Sequence, residues 1–169
     1  MNVLRRRSPL IVVYFGLLFD WMIALAKELN SDTGTLLCRT CGHTIVHYAE
    51  DLRSYQSSKS LERDSLTILG VDNVQVQTFQ NPAGESFDVI TTAAAELKPA
   101  GQTYSDFSWF PGFSWTAAVC PACGTHLGWI FTSNAKDSSE ITRKKFNGLV
   151  LDYLIGSDYA DRLTVVPKS

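Results

Sequence analysis

All four cysteines of the chain lie in Cys-x-x-Cys pairs, Cys38-Arg39-Thr40-Cys41 and Cys120-Pro121-Ala122-Cys123, and a glycine follows each pair, Gly42 and Gly124. Two thiolates at this spacing reach one metal ion, and the tight turn favours a following residue with positive φ, which glycine adopts at little steric cost. Backbone N–H groups of such turns also donate to the sulfurs and soften their charge. Four thiolates close a tetrahedral site and leave no open position, so the cofactor expected is one structural Zn2+ and not a catalytic ion. The competing reading is a pair of disulfides, for which four cysteines allow three pairings. A bridge within a Cys-x-x-Cys ring is strained and redox-active, useful in an oxidoreductase and poor as a staple. The repeated knuckle-glycine pattern favours zinc.

The second concentration of chemistry is residues 105–131, SDFSWFPGFSWTAAVCPACGTHLGWIF. It carries three of the four tryptophans, Trp109, Trp115 and Trp129, with Phe107, Phe110, Phe113 and Phe131 among them. Aromatic side chains gather in cores, and a core cluster is one reading. The other is a binding cage. Pro111-Gly112 forces a turn between Trp109 and Trp115, and a turn lies near the surface, where bulky aromatics need a reason. The pattern alone leaves both readings open. Ser108 and Ser114 have no evident His–Asp partners, and no general base or open metal position is apparent, so the stretch suits binding and not reaction. His43 and His47 lie near the first knuckle, but four cysteines make them surplus as ligands, and a surface or core-edge role is expected.

The elements that must position these residues are short and bounded by turns. Residues 74–79 (VQVQTF) and 87–92 (FDVITT) alternate apolar and polar, the period of half-buried strands. Asn81-Pro82-Ala83-Gly84 between them is a strong turn signal, giving a hairpin. Strands are also expected at 44–48, 67–69, 115–119, 126–131, 146–155 and, as a tail, 163–166. Residues 50–64 read as a loop or an irregular helix, 93–104 as an irregular connection, and 137–145 as a polar loop with room for a helical turn. Many short strands make the class mainly antiparallel β.

At 169 residues with a net charge of −2, the chain has room for one domain plus a targeting segment and has no basic footprint for nucleic acid. The two knuckles are also much farther apart than in a zinc-ribbon nucleic-acid module. The N-terminus has its own character. Arg5, Arg6 and Arg7 precede an apolar run over residues 9–19 that Asp20 interrupts well short of the ~20 residues of a spanning helix. Ala24-Leu25-Ala26 offers a signal-peptidase site. The expected organisation is a secretory signal over residues 1–26 and one domain over 27–169, hence a secreted protein with no membrane partner after cleavage. A retained signal anchor is the alternative.

The ordered set Ser108-Trp109-Phe110-Pro111-Gly112-Phe113-Ser114-Trp115, Cys120-Pro121-Ala122-Cys123, His126-Leu127-Gly128-Trp129 and Phe131 resembles the CULT domain family, the thalidomide-binding domain of cereblon. Asn81-Pro82, Phe146-Asn147-Gly148-Leu149 and the first knuckle fit as well, so the resemblance covers about residues 36–155. It is similar to the stand-alone, secreted members. The resemblance implies a β-tent of two antiparallel sheets packed at a steep angle and braced by one structural zinc at Cys38, Cys41, Cys120 and Cys123. It implies a pocket for a cyclic imide or a uracil-like ring, walled by Trp109, Trp115 and Trp129 and based on Phe131. Backbone groups of Phe107 and Trp109 would hydrogen-bond the imide, and Asn81 would sit on the loop that closes over it. Phe107 stands where the family pattern has a histidine, which removes any contact from that imidazole. No Lon-like domain or adaptor-docking helices are recognised, so no ubiquitin-ligase adaptor is expected as a partner.

Two other functions compete. A methionine sulfoxide reductase shares a zinc-braced β-tent but needs a reactive cysteine beyond the four ligands, and the sequence has none. A reader of quaternary ammonium or methyl-lysine also uses an aromatic cage, commonly with a nearby carboxylate, and Asp106 is the one acidic residue in the tryptophan-rich loop.

Overall fold

The computed structural model describes residues 34–135 and 144–163, with side chains through residue 160. Ten strands follow in chain order: β1 (Leu36–Cys38), β2 (Thr44–Val46), β3 (Glu62–Ile68), β4 (Val71–Gln80), β5 (Ser86–Thr92), β6 (Lys98–Tyr104), β7 (Phe113–Val119), β8 (His126–Ser133), β9 (Lys145–Val150) and β10 (Leu154–Gly156). Single 3₁₀ turns occupy Ala49–Asp51 and Leu151–Tyr153, and a short helix, α1, spans Ser157–Leu163. The strands form two antiparallel sheets, one of three strands in the order β10-β1-β2 and one of seven in the order β3-β4-β5-β9-β8-β7-β6. The fold is therefore mainly β, as the strand pattern predicts.

The inner strands of the large sheet are buried on both faces, and they divide their apolar residues accordingly. Val74 and Val76 of β4, Ile90 of β5 and Leu149 of β9 face a core shared with Leu36, Ile45, Val46 and Leu154 of the small sheet. Phe79, Val89 and Phe146, from the same three strands, face a second core that is almost wholly aromatic. Successive side chains on a strand point to opposite faces, so β4 turns from one core to the other as it runs from Val76 to Gln77 and Phe79. In β8 the switch needs a bulge. The pairing with β7 slips by one residue between Ala118 and Val119. Leu127 thereby joins the first core, whereas Phe131 lies in the second and Trp129 packs against it. The bulge places Gly128 at φ +150°, where a Cβ would lie 2.0 Å from the Gly148 carbonyl oxygen, so only glycine fits there.

Four expected regions fold differently in whole or in part. The last seven residues of 93–104 are strand β6, paired with β7 at the edge of the large sheet. The strand expected over 146–155 is two strands in two sheets: the 3₁₀ turn Leu151–Tyr153 carries the chain from β9 to β10, which pairs with β1. Leu163, expected in a tail strand, ends α1, while 164–166 lie outside the described residues. The region 50–64 is irregular only as far as Leu61, since β3 begins at Glu62. The proposed signal sequence and residues 137–143 of the polar loop lie outside the described residues. Among the described residues no helix is long and apolar enough to cross a membrane.

Candidate functional site

The two cysteine pairs sit in turns of one geometry. In the first, between β1 and β2, the Gly42 N–H donates to the Cys38 carbonyl at 2.8 Å and the Cys38 N–H to the His43 carbonyl at 2.8 Å. In the second, between β7 and β8, Gly124 donates to Cys120 at 2.9 Å and Cys120 to Thr125 at 2.8 Å. Gly42 and Gly124 each take φ +75°. The small and large sheets thus contribute one knuckle each, and the four sulfurs lie within 4.8 Å of one another. Cys38 and Cys123 are 3.8 Å apart and Cys41 and Cys120 3.6 Å apart, sulfur to sulfur. Those separations are far too long for disulfides, which need about 2.05 Å. A tetrahedral ion with bonds of about 2.3 Å to sulfur sets its ligands about 3.8 Å apart, so the cluster fits one metal ion.

The Cys41 and Cys123 thiols are driven in opposite directions. The Thr125 hydroxyl, and next its backbone N–H, draws the Cys123 thiol down to about 6. Cys41 accepts from the His43 backbone N–H, which favours its thiolate, yet desolvation and the neighbouring thiols push it up to about 12. A dication held by Cys38, Cys41, Cys120 and Cys123 would resolve that conflict by favouring the thiolate of each. His43 and His47 take no part in the cluster. Their Nε2 atoms lie 2.9 and 2.7 Å from the two carboxylate oxygens of Glu96, a clasp between the first knuckle and the β5–β6 connection. Hydrogen bonding from His47, and then from His43, outweighs desolvation and holds the Glu96 carboxyl below its usual range.

The tryptophan stretch forms a pocket of about 70 Å³ lined by Pro82, Phe107, Trp109, Trp115, Trp129 and Phe131. Trp115 and Phe131 are paired across β7 and β8, and Trp129 stands two residues before Phe131 on the same face. Trp109 comes from the preceding loop and meets Trp129 edge to face, ring centroids 4.6 Å apart at 71°. Each of these loop-facing indoles is fixed by a hydrogen bond: Trp109 Nε1 donates to the Gln80 carbonyl at 3.2 Å and Trp115 Nε1 to the Asp106 carbonyl at 2.8 Å. Phe131 is fully buried and belongs to the aromatic core beneath. The cluster is therefore both things the sequence allowed: Phe79, Phe110, Phe131 and Phe146 make a core, and the tryptophans stand on it around an opening.

Phe107 is 75% exposed and takes φ +57°, a left-handed conformation that costs a non-glycine residue about 1–2 kcal/mol. Its carbonyl and the Trp109 N–H have no backbone partner among the described residues. Asn81 lies beside the pocket, not in its lining. Its Oδ1 accepts from the N–H groups of Ala83 and Glu85, at 3.0 and 2.9 Å, and its Nδ2 donates to the Glu85 carboxylate at 2.9 Å, so the side chain shapes the turn that presents Pro82. His126 packs edge-on to Trp129 at 4.8 Å, and burial lowers its pKa from 6.5.

Sequence reasoning missed the layer behind the cage. Phe79 stacks on Trp109 at 4.9 Å and 9°, and Phe87 touches both Trp109 and Trp129. Their inward positions in two alternating strands were the available signal. Ser57 and Lys59 reach the cage loop from a serine-rich segment that offers no such signal: Ser57 Oγ donates to the Trp109 carbonyl and Lys59 Nζ to the Ser108 carbonyl at 2.8 Å.

No family model matches the chain. It is similar to curated cereblon proteins: 40% identical over 129 residues to that of Gallus gallus, 43% over 123 residues to that of Xenopus tropicalis and 32% over 106 residues to that of Danio rerio. These matches cover 76%, 72% and 62% of this chain. The same matches cover 25%, 24% and 21% of the relatives, so the chain spans about a quarter of their length. Within that span, the chain carries a cereblon-like domain.

Proposed function

We propose that this domain is a secreted small-molecule-binding module, held by one structural zinc ion, whose tryptophan cage takes a cyclic imide or a related uracil-like ring. The observation that carries this reading is the pocket lining: three indoles, two phenylalanines and a proline, with no nucleophile, general base or metal ligand among them. A flat neutral imide presents two acceptors and one donor between apolar faces. Indole walls bury its methylene groups, and fixed backbone groups meet the polar edge without loss of rotamer freedom. The Phe107 carbonyl and the Trp109 N–H supply one acceptor and one donor on that edge, and substituting histidine by Phe107 leaves both in place. The similarity to cereblon and the resemblance of the tryptophan motif to its thalidomide-binding domain support the same ligand class. In this reading the domain is a receptor and not an enzyme. The four sulfurs lie within 4.8 Å of one another, so a closed zinc site would use all four cysteines and leave none for catalysis.

The test is a titration of the zinc-loaded protein, followed by tryptophan fluorescence, with glutarimide, uracil and trimethyl-lysine. Glutarimide is expected to change the emission of the native protein and not that of Trp129→Ala. Tight binding of trimethyl-lysine without any response to glutarimide would replace the imide reading with an ammonium cage.

A further inference from the structure

We infer that Ser57 and Gln77 are positioning residues for the tryptophan cage, a buried polar relay that fixes the Trp109 backbone from the strand behind it. The inference deepens the reading of the cage as a binding site and rests on it for its ligand readout.

Gln77 is fully buried on β4, at an inward position two residues before Phe79. Both ends of its amide are used on one segment: Oε1 accepts from the Ser57 N–H at 2.8 Å, and Nε2 donates to the Tyr55 carbonyl at 2.8 Å. Residues 55–57 belong to no strand, so the glutamine supplies the partners that a neighbouring strand would otherwise give. Ser57, itself 1% exposed, passes the constraint on. Its Oγ accepts from the Lys59 N–H at 3.0 Å, which directs the hydroxyl proton toward the Trp109 carbonyl. Lys59 Nζ holds the adjacent Ser108 carbonyl. Arg63 in turn donates to the Ser57 carbonyl from β3.

β4 therefore grips Trp109 in three ways: through the Phe79 ring on its indole, the Gln80 carbonyl on its indole N–H, and Gln77 through Ser57 on its own carbonyl. An apolar residue at 77 would fill the core without the desolvation cost of an amide. The amide instead gives direction. Lys59 on the Ser108 carbonyl and Ser57 on the Trp109 carbonyl fix the peptide planes on both sides of Trp109, so its N–H is held ready for a ligand and binding loses less conformational freedom.

The experiment compares Ser57→Ala, Ser57→Thr and Gln77→Leu with the native zinc-loaded protein. Two quantities are read: glutarimide affinity by tryptophan fluorescence, and hydrogen exchange of the indole N–H groups by NMR without ligand. Ser57→Ala, which removes one oxygen atom, is expected to weaken glutarimide by about tenfold and to speed exchange of the Trp109 indole N–H by a similar factor, the scale of one hydrogen bond. The Trp115 indole N–H, held by Asp106, and the metal content are expected to stay at native values. Ser57→Thr restores both quantities. Native affinity together with native Trp109 exchange in Ser57→Ala overturns the inference, even if Gln77→Leu fails to fold. If the native protein gives no response to glutarimide, the imide reading falls. The exchange comparison then decides the positioning role by itself, accelerated exchange at Trp109 alone supporting it and unchanged exchange ending it.

Discussion

The ring of Phe131 occupies the space that a side chain at position 148 would need: a Cβ built on Gly148 lies 2.8 Å from Phe131 Cε2 and 3.2 Å from Val89 Cγ1. β9 passes directly beneath the base of the cage, and its glycine lets the two approach. Gly148→Ala is expected to tilt Phe131 into the pocket, destabilise the domain by about 1–3 kcal/mol as other overpacked cores do, and weaken glutarimide. Denaturant unfolding and the fluorescence titration check the two effects. Native affinity in this variant would show that the base of the cage yields without closing it.

Metal removal should unfold the domain, not merely loosen it. The knuckles come from different sheets, and structural zinc in small domains contributes folding free energy directly, about 10–16 kcal/mol in peptides. Elemental analysis is expected to find one zinc per chain, and four thiols are expected to become reactive when the protein is denatured with a chelator present. Loss of native circular dichroism on chelation, and its return with zinc, is the accompanying result. Two disulfides and no metal would overturn the assignment.

Phe107→Gly separates backbone from side chain at the rim. The native residue is 75% exposed at φ +57°, so the substitution relieves strain and gives up little burial. The gain from an unstrained glycine, offset by its greater unfolded-state freedom, predicts stability unchanged or raised by up to about 1 kcal/mol. If the carbonyl is the contact, glutarimide affinity persists within a few-fold. A loss comparable to that of Trp129→Ala would assign the contact to the ring.

Acid acts at two further places. Burial lowers the pKa of His126 from 6.5, so its neutral form is the one the fold prefers. Its contribution to stability is complete above the unfolded value and is lost as pH falls through the lower folded value. Glu96 runs in the same sense: its depressed carboxyl contributes above the ordinary carboxylate range and loses that contribution as pH falls through its folded value. Stability measured against pH should lose the first limb in His126→Gln and the second in Glu96→Gln. Identical curves for these variants and the native protein would refute the assignment.

Several parts of this molecule were legible from sequence because a physical period or spacing marked them. The paired cysteines announce a four-sulfur site, and alternation in β4 and β5 gives a hairpin with its turn at Asn81-Pro82. Strand β6 left no such mark. It lies at the sheet edge with every residue but Ala100 exposed, and it contains Pro99 and Gly101, so neither face imposes a pattern. The passage of 146–155 from one sheet to the other is equally silent, because Val150 and Leu154 are both buried on either side of the turn. Ser57 was hidden for another reason. A serine among serines reads as solvated loop, and its burial depends on a glutamine twenty residues away in sequence and a tryptophan carbonyl fifty-two away. Polar relays of that kind have no period. Their trace is a single buried amide in an otherwise apolar position, as at Gln77.

The second knuckle is the turn that joins β7 to β8, and those two strands bear Trp115, Trp129 and Phe131. With zinc as the clamp on that turn, the proposed function makes an individual molecule either charged with metal and able to recognise its ligand, or empty and blind to it. On the proposed reading the number of binding-competent molecules is set by metal supply at the time the chain folds, and a preparation assayed by protein mass alone would understate its binding capacity, though not its affinity, in proportion to the fraction never metallated.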